Sequence, residues 1–151
     1  PGPTGMDQVD FSFAPNVGEP PRPLRAIASS GEISRVMLAL KGILAGHDRI
    51  PVLVFDEIDV NIGGEMGHAV GRKLRKVADH HQVLCITHLP QVAVHGAIHH
   101  AVRKEVSGGR TFTRIAQLAD DARIEEIARM LGGRDSASGR KHAAALLEQA
   151  G

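Results

Sequence analysis

The chain has 151 residues, of which 42% are hydrophobic and 23% charged, a composition typical of a globular domain large enough to bury a core. A formal net charge of +1 and an aromatic content of 3%, with no Trp or Tyr, argue against a strongly basic nucleic-acid surface and against a base-stacking platform. The single cysteine, Cys85, lies in an apolar run and excludes an internal disulfide, which indicates a reducing compartment.

Two further observations concern the surroundings of the protein. No apolar stretch approaches the roughly 20 residues that a membrane-spanning helix needs, and no secretory signal is present. We therefore expect a cytoplasmic protein without a membrane partner. Because the chain begins with Pro1 rather than with Met, we also expect it to be an excised or processed piece.

The N-terminal part of the chain predicts a strand, a loop and a long helix. Residues 9–13 alternate between apolar and polar side chains, as a short strand does, whereas residues 16–23 are too rich in proline and glycine for a strand. A helix is expected over residues 30–45, ended by Gly46. Its apolar side chains recur at helical spacing and fall on one face: Ile33, Val36, Met37, Leu40, Ile43 and Leu44.

A strand, a helix and a second strand follow. The strands are predicted over residues 52–55 and 83–87, and the helix between them over residues 65–79. This order is a βαβ unit, which joins two parallel strands by a right-handed crossover. The nearly continuous apolar character of the first strand favours a parallel sheet that is covered on both faces.

The C-terminal third predicts a hairpin and two helices. Residues 97–106 and 111–118 have the composition of strands and flank a turn that contains two glycines. Helices are expected over residues 121–131 and 138–149. We therefore predict an α/β fold, in which a parallel sheet is flanked by helices and is followed by a β-hairpin and C-terminal helices.

Two adjacent carboxylates, Asp56 and Glu57, end the apolar strand at residues 52–55. Successive residues of a strand point to opposite sides, so the two groups need not share one role. Mg²⁺ prefers oxygen ligands and keeps several waters, so one carboxylate can suffice, and phosphoryl transfer needs another group that orients the attacking water. Asp56 fits the metal role and Glu57 the water role. The alternative is that the pair only begins a turn before the next helix.

The sequence Ser29-Ser30-Gly31-Glu32 lies at the start of the first predicted helix. It matches a capping box, in which Ser29 would cap the helix and Glu32 would hydrogen-bond back to it. It also offers small residues, backbone N–H groups and the positive end of a helix dipole, which together suit a phosphate. These two interpretations do not exclude each other.

His88 follows the second predicted strand. Ligands of parallel α/β sheets bind beyond the carboxyl ends of the strands, so His88 should lie at the same edge as Asp56 and Glu57. An imidazole there can hydrogen-bond a terminal phosphate. The alternative is a histidine that only ends a turn before Pro90.

The other histidines that we considered lack the spacing of a zinc site and match no H-E-x-x-H pattern. We interpret them as surface or sheet residues: His80, His81, His95, His99 and His100. Residues 67–73, GHAVGRK, loosely resemble a phosphate-binding loop, but their spacing is wrong and they lie within a predicted helix. The true pattern, G-x-x-x-x-G-K-[ST], is absent from the chain, so nothing in it would cradle the α- and β-phosphates of a nucleotide.

Three of these stretches together resemble the C-terminal lobe of an ABC-type ATPase. Residues 29–32 resemble the signature motif, residues 52–59 resemble the Walker B motif with its glutamate and the D-loop, and Thr87-His88 resemble the switch histidine. The chain is most similar to the RecN family of bacterial DNA repair proteins, relatives of the SMC proteins. This similarity extends from about residue 5 to the C terminus and includes GEPPRPL (18–24), SGEISRVMLALK (30–41), VFDEIDVNIGG (54–64), ITHLPQVA (86–93), GGRTFTRI (108–115) and ARMLGG (128–133).

The resemblance implies that residues 1–151 form one lobe of an ATPase head, without the Walker A lobe and the long coiled coil of the family. It implies ATP and Mg²⁺ as cofactors. Asp56 would coordinate the metal directly or through water, Glu57 would act as general base, and His88 would contact the γ-phosphate. Asp59 would lie in the D-loop at a dimer seam.

The signature motif would act across that seam. Ser29 and Gly31, within the motif that also contains Ser30 and Glu32, would bind the γ-phosphate of a nucleotide held by the opposite head. The family usually has Ser-Gly-Gly-Glu at these positions, so Ser30 replaces its first glycine. The replacement would either weaken the contact with phosphate or add a hydrogen-bond donor to it.

The implied function is the Mg²⁺-dependent ATPase head of a protein for double-strand break repair and recombination, incomplete in this chain alone. The implied partners are the Walker A lobe of the same protein, a second head in an ATP-sandwiched homodimer, and DNA bound by the full-length protein. Two other functions stay open from the sequence. One is a fragment of a transporter's nucleotide-binding subunit, and the other is a non-catalytic interaction module with the same fold.

Overall fold

The structure, a computed structural model, describes residues 5–6, 9–14, 16–26, 29–47, 49–133 and 136–151. Near its start, two short antiparallel strands, β1 (Ser12–Phe13) and β2 (Arg22–Pro23), lead into a 3-10 turn at Leu24–Ala26. The strand predicted over residues 9–13 is thus limited to its last two residues. The predicted loop over residues 16–23 ends in β2 instead of continuing, with Pro23 in a strand that has only one neighbour.

The central unit consists of helix α1 (Ser30–Leu44), strand β3 (Val52–Phe55), helix α2 (Gly64–Val77), strand β4 (Gln82–Cys85) and the short helix α3 (Pro90–Ala93). Strands β3 and β4 pair in parallel along their whole length. The predicted βαβ unit is therefore confirmed. The second strand ends two residues before the predicted boundary, so residues 86–87 lie beyond it.

Only one face of the β3–β4 pair is covered. Leu53 and Phe55 point into a hydrophobic cluster with Leu38 of α1 and with α2, while Val54 and Leu84 are 63% and 50% exposed on the other face. The prediction of a sheet covered on both faces is wrong for the described residues. The reason is that α1 and α2 both contribute to the same cluster, so no described helix covers the second face.

The apolar stripe of α1 also differs from its prediction. Four of its six members are exposed: Ile33, Met37, Ile43 and Leu44. The helix instead directs Gly31 and Leu38 into the structure. The amphipathic pattern correctly predicted a helix, but most of its apolar face has no covering element among the described residues.

Helix α2 combines an apolar stripe with close glycine packing. Val70, Leu74 and Val77 lie one helical turn apart and are buried against the sheet. Gly71 lies against the His95 ring, and a Cβ at this position would lie 2.2 Å from His95 Cδ2. The GHAVGRK stretch is thus helical, as predicted, and Gly71 is required there for packing.

The C-terminal third contains strands β5 (His99–Ser107) and β6 (Arg110–Leu118) and helices α4 (Asp120–Met130) and α5 (Ala137–Ala150). The strands form an antiparallel hairpin whose turn has two glycines at positive φ, as tight hairpins favour. The hairpin and both helices are confirmed. A second hydrophobic cluster joins the helices to the end of α3: Val94, Ile127, Ala128, Ala143 and Leu146. Among the helices within the described ranges, none has the length and apolar character to cross a membrane.

Candidate nucleotide-binding site

The parallel pairing brings the two functional strand ends together. Asp56 and Glu57 follow β3, and Thr87 and His88 follow β4 two residues after its end. The amide of Ile86 donates to the Phe55 carbonyl at 2.9 Å, so the two chains are still paired where they leave the sheet. The structure therefore brings these predicted residues to one edge, as parallel strands require.

The turn after β3 has an unusual backbone conformation. Glu57 adopts a left-handed conformation with φ 58°, although it is not glycine. Its amide donates to Asp56 Oδ1 at 2.9 Å, and its carbonyl accepts from the Val60 amide at 3.2 Å. Both carboxylate side chains are exposed. The turn thus fixes the backbone and leaves the two acidic groups accessible to a ligand.

The start of α1 packs directly on this turn. A Cβ on Gly31 would lie 2.9 Å from the Glu57 carbonyl oxygen, so only glycine fits without a shift. Ser34 Oγ donates to the Asp56 carbonyl at 3.2 Å. Arg35 Nη1 donates to the carbonyls of Ile58 and Val60, both at 3.1 Å. The sequence did not predict a role for Ser34 or Arg35. Their only signal in the sequence is that they are polar residues one helical turn after Ser30 and Gly31.

The predicted capping box does not form as expected. Ser29 is the N-cap residue of α1, but its side chain makes no capping hydrogen bond, and Glu32 is half-buried in the first turn. The hydroxyl of Ser30 instead donates to Glu57 Oε2. The signature-like stretch and the Asp56-Glu57 pair are therefore in direct contact within one chain.

Asp59 is the buried centre of the site, with a relative exposure of 2%. Its Oδ2 atom accepts from Thr87 Oγ1 at 2.5 Å and from the amides of His88 and Leu89 at 2.9 and 3.1 Å. Burial alone would raise the pKa of Asp59, but these hydrogen bonds outweigh it and hold the pKa below its usual value. Asp59 thus ties the loop after β4 to the turn after β3. A role at a dimer seam stays a prediction for a residue whose carboxylate is already used inside the chain.

His88 is the exposed member of this group. Its side chain is 69% exposed, and Nδ1 lies 3.2 Å from Asp59 Oδ2. The carboxylate can therefore orient the ring while Nε2 stays available to a ligand. This geometry suits a hydrogen bond to phosphate, and the role of His88 stays a prediction.

Cys85 lies beneath the site and is not a candidate nucleophile. Burial raises the pKa of its thiol to about 12, and the carboxylates of Asp59 and Asp56 add to the effect. A thiol with such a pKa is protonated at neutral pH. The side chain packs against the hydrophobic cluster of the sheet layer.

Of the other five histidines with a prediction, His80 is exposed and His99 and His100 lie in β5, as predicted, whereas two others differ from the prediction. His81 is neither at the surface nor in a strand, because it is buried just before β4 with Nδ1 2.7 Å from the Ile50 carbonyl oxygen. His95 is half-buried beside a cavity of about 310 Å³, which His68 and Arg72 also line. Burial lowers the pKa of His95, and the neighbouring cationic groups lower it further. Among the described residues, no cluster of three His, Cys, Asp or Glu side chains could hold a metal ion.

The chain is similar in sequence to known proteins over most of its length. The chain is 50% identical over 147 residues to the DNA repair protein RecN of Treponema pallidum, 53% identical over 133 residues to that of Xylella fastidiosa, and 42% identical over 147 residues to that of Bacillus subtilis. These alignments cover 97%, 88% and 97% of this chain but only 26%, 24% and 26% of the relatives. The chain thus spans about a quarter of the length of these relatives. No family model matches it.

A solved structure from work on ATP-driven dimerization and DNA-stimulated activation of SMC ATPases has the same fold. It superposes with a TM-score of 0.51 at 16% identity, covering 76% of this chain and 68% of the other. At this identity the likeness concerns the fold alone. The fold predicted from the sequence, a lobe of an ABC/SMC-type head, is therefore confirmed. The long alignments show that this chain is similar to RecN DNA repair proteins over most of its own length, and the superposition shows that it has the fold of an ABC/SMC-type ATPase head lobe.

Proposed function

We propose that the chain is one lobe of the ATP-hydrolysing head of a DNA repair protein. The observation that carries the proposal is the junction of three motifs at one sheet edge. There Ser30 and Gly31 of α1 contact the Asp56-Glu57 turn, and Asp59 ties this turn to the loop that presents His88. Residue identity, exposure and mutual position all suit a nucleotide that is bound at this edge.

The residues at this edge fit ATP and Mg²⁺ as cofactors. Asp56 would hold the metal, because it is exposed and only its Oδ1 is used by the Glu57 amide. Mg²⁺ is commonly held by one or two protein carboxylates together with water and phosphate oxygens, and it neutralises charge on the phosphates. A site with a single carboxylate is therefore adequate only when a nucleotide supplies the remaining ligands. This fits the lack of a self-sufficient metal cluster among the described residues.

The other residues have separate roles in the proposal. Glu57 accepts a proton from the attacking water as general base, and His88 hydrogen-bonds the γ-phosphate, oriented by Asp59. Ser29 and Gly31, within the signature-like stretch 29–32 at the N-terminus of α1, contribute to binding a nucleotide held by the opposite head. Backbone N–H groups and the helix dipole favour a phosphate at that end.

The same proposal requires a second lobe that carries the phosphate-binding loop. Two apolar surfaces support such a partner, one on the sheet and one on α1. The sheet exposes Val52, Val54, Leu84 and Ile86, and α1 exposes Ile33, Met37, Ile43 and Leu44. Surfaces of this kind mark interaction sites more often than they face water. We assign them to the Walker A lobe, which with the coiled coil lies outside residues 1–151.

The wider role follows from the family. The relatives are DNA repair proteins, and the structural neighbour was studied for ATP-driven dimerization and activation by DNA. We propose the same setting here, in which two heads sandwich ATP and the full-length protein binds DNA in double-strand break repair and recombination. That role would place the protein in the cytoplasm, in association with the nucleoid.

The first test is Mg²⁺-ATP hydrolysis by this chain, with and without a separately produced Walker A lobe. We expect turnover only in the mixture, because residues 1–151 contain no phosphate-binding loop. Glu57→Gln in the mixture should lower turnover by about 10²-fold or more and leave ATP binding largely intact. Glu148→Gln, the same change at an exposed position of α5, is the matched control.

The outcomes separate the possible functions. Turnover by this chain alone would contradict the split site. Equal turnover by Glu57→Gln and by the unchanged chain would favour the non-catalytic interaction module. Loss of turnover in Glu57→Gln with retained ATP binding is the result that the proposed function requires.

A further inference from the structure

Ser30 departs from the glycine that is usual in the signature motif of the family, and its side chain is used within the chain. It is the first residue of α1, and its hydroxyl donates to Glu57 Oε2. The sequence left open whether this hydroxyl weakens a phosphate contact or adds a donor. The structure shows a donor, and the acceptor is a carboxylate of the same chain.

The hydrogen bonds of Glu57 differ between its backbone and its side chain. Two hydrogen bonds fix the backbone of Glu57. Its amide donates to Asp56 Oδ1, and its carbonyl accepts from the Val60 amide. Its side chain is exposed, and among the described residues the Ser30 hydroxyl is the only hydrogen-bond partner of its carboxylate. An exposed glutamate otherwise samples many rotamers. The position of the carboxylate therefore depends on Ser30.

Ser30 is itself held rigidly with respect to Glu57. Ser34 and Arg35 bond the first turns of α1 to the carbonyls of the same turn that carries Glu57. Gly31 brings the helix backbone into direct contact with the Glu57 carbonyl. The donor and the backbone of the acceptor are thus joined by several contacts, and a hydrogen bond between them favours one orientation of the carboxylate.

We infer that Ser30 is a positioning residue for Glu57, which holds the carboxylate in the orientation that accepts a proton from water. The hydroxyl donates to Oε2 and leaves Oε1 and the remaining lone pairs of Oε2 as acceptors. Precise orientation of a catalytic group is worth more to the rate than to substrate binding. The inference rests on the proposed function of Glu57 as general base.

The test uses the full-length protein with Mg²⁺-ATP and compares Ser30→Ala, Ser30→Gly and Ser30→Thr. Both variants without the hydroxyl should lower kcat about tenfold, the rate equivalent of a hydrogen bond to a charged group, with KM for ATP unchanged. Ser30→Thr keeps a hydroxyl and should retain most of the rate. Ser30→Gly restores the residue of the family motif, so it also checks for a folding defect of the alanine variant. Ser107→Ala, at an exposed position of the hairpin, is the control.

A double variant distinguishes positioning from direct phosphate contact. If Ser30 acts through Glu57, Ser30→Ala should slow Glu57→Gln no further in single-turnover assays, because the base is already lost. Multiplied effects, a raised KM without a change in kcat, or a higher kcat in Ser30→Ala would each overturn the inference. Unchanged turnover in Glu57→Gln would instead overturn the proposed function. A slow Glu57→Gln beside a normal Ser30→Ala would overturn the inference alone.

Discussion

The sheet layer around β3 and β4 and the helix pair α4–α5 differ in the surroundings of their carboxylates. In the helix pair, Glu126 is buried. Its carboxylate accepts a hydrogen bond from Arg129 Nε at 3.0 Å and forms an ion pair with Arg103 Nη2 of the hairpin at 3.6 Å. The hydrogen bond from Arg129, opposed by burial, holds the pKa of Glu126 below its usual value. In the sheet layer, Asp56 and Glu57 are exposed. Both regions satisfy a buried carboxylate internally, Glu126 in the helix pair and Asp59 in the sheet layer, but the sheet layer also leaves two carboxylates exposed at its edge.

The two regions differ in the same way in their apolar surface. The cluster of α4 and α5 has Ile127, Ala128 and Ala143 fully buried. The sheet layer buries Phe55 on one face and exposes Val54 on the other. The helix pair is therefore covered within the described residues, whereas one face of the sheet layer has no covering element among them. The stability of the sheet layer should depend most on its covered face, less on its buried carboxylate and least on its open face.

The largest effect is expected on the covered face of β3. Phe55 is 4% exposed, and Phe55→Ala should lower the free energy of unfolding of the 151-residue chain by about 3–5 kcal/mol, through lost burial and a cavity. Phe112→Ala makes the same change in the hairpin, where the ring is 46% exposed, and should cost much less. Chemical denaturation followed by circular dichroism measures both. Similar costs would mean that the covered face is not the core of the sheet layer.

The next effect concerns the carboxylate that joins the two strand-end loops. Asp59→Asn should cost about 1–3 kcal/mol, because the new amide accepts hydrogen bonds without charge and directs two hydrogens at existing donors. The folded pKa of Asp59 lies below its unfolded value, so the unfolded chain binds the proton more readily. The stabilisation is therefore complete above the unfolded pKa and is lost as the pH falls through the folded pKa.

The measurement for Asp59 is denaturation at several pH values between neutral and acid. The difference between Asp59→Asn and the unchanged chain should be constant near neutral pH and shrink below about pH 4. Asp79→Asn, at an exposed position beyond α2, should show neither the cost nor the pH dependence. A difference that grew towards acid pH would show that Asp59 is protonated in the folded chain.

The sequence predicted the elements well and their surroundings poorly. Local patterns fixed the βαβ unit, the hairpin with its two-glycine turn and the C-terminal helices, because periodicity and turn residues act over a few positions. The same patterns could not show which face of β3 or of α1 would be covered, since covering depends on elements elsewhere in the chain or outside it. The apolar stripe of α1 is the clearest case, because Ile33 and Met37 are exposed.

The candidate site divides in the same manner. The sheet edge that carries Asp56, Glu57 and His88 followed from strand topology. The prediction of a capping box at Ser29 was wrong, because the Ser29 side chain makes no capping hydrogen bond. The hydroxyl of the next residue, Ser30, donates instead to Glu57, which lies 27 positions further along the chain. Contacts at this separation depend on tertiary structure, and no local rule contains them.

The smallest effect in this chain concerns the open face of β3, and it should become larger in the complete protein. Val54 is 63% exposed, so Val54→Ser should change the stability of the isolated chain by no more than about 0.5 kcal/mol. If the Walker A lobe covers this face, the same change in the full-length protein buries a hydroxyl in place of apolar surface and should cost about 1–3 kcal/mol. Val102→Ser on the exposed hairpin should cost little in both proteins unless the added lobe reaches that strand. Equal costs for Val54→Ser in the short and long proteins would mean that the face stays open to water. A cost that appears only in the long protein would show that the exposed strand is an interface and that the sheet layer is complete only with its second lobe.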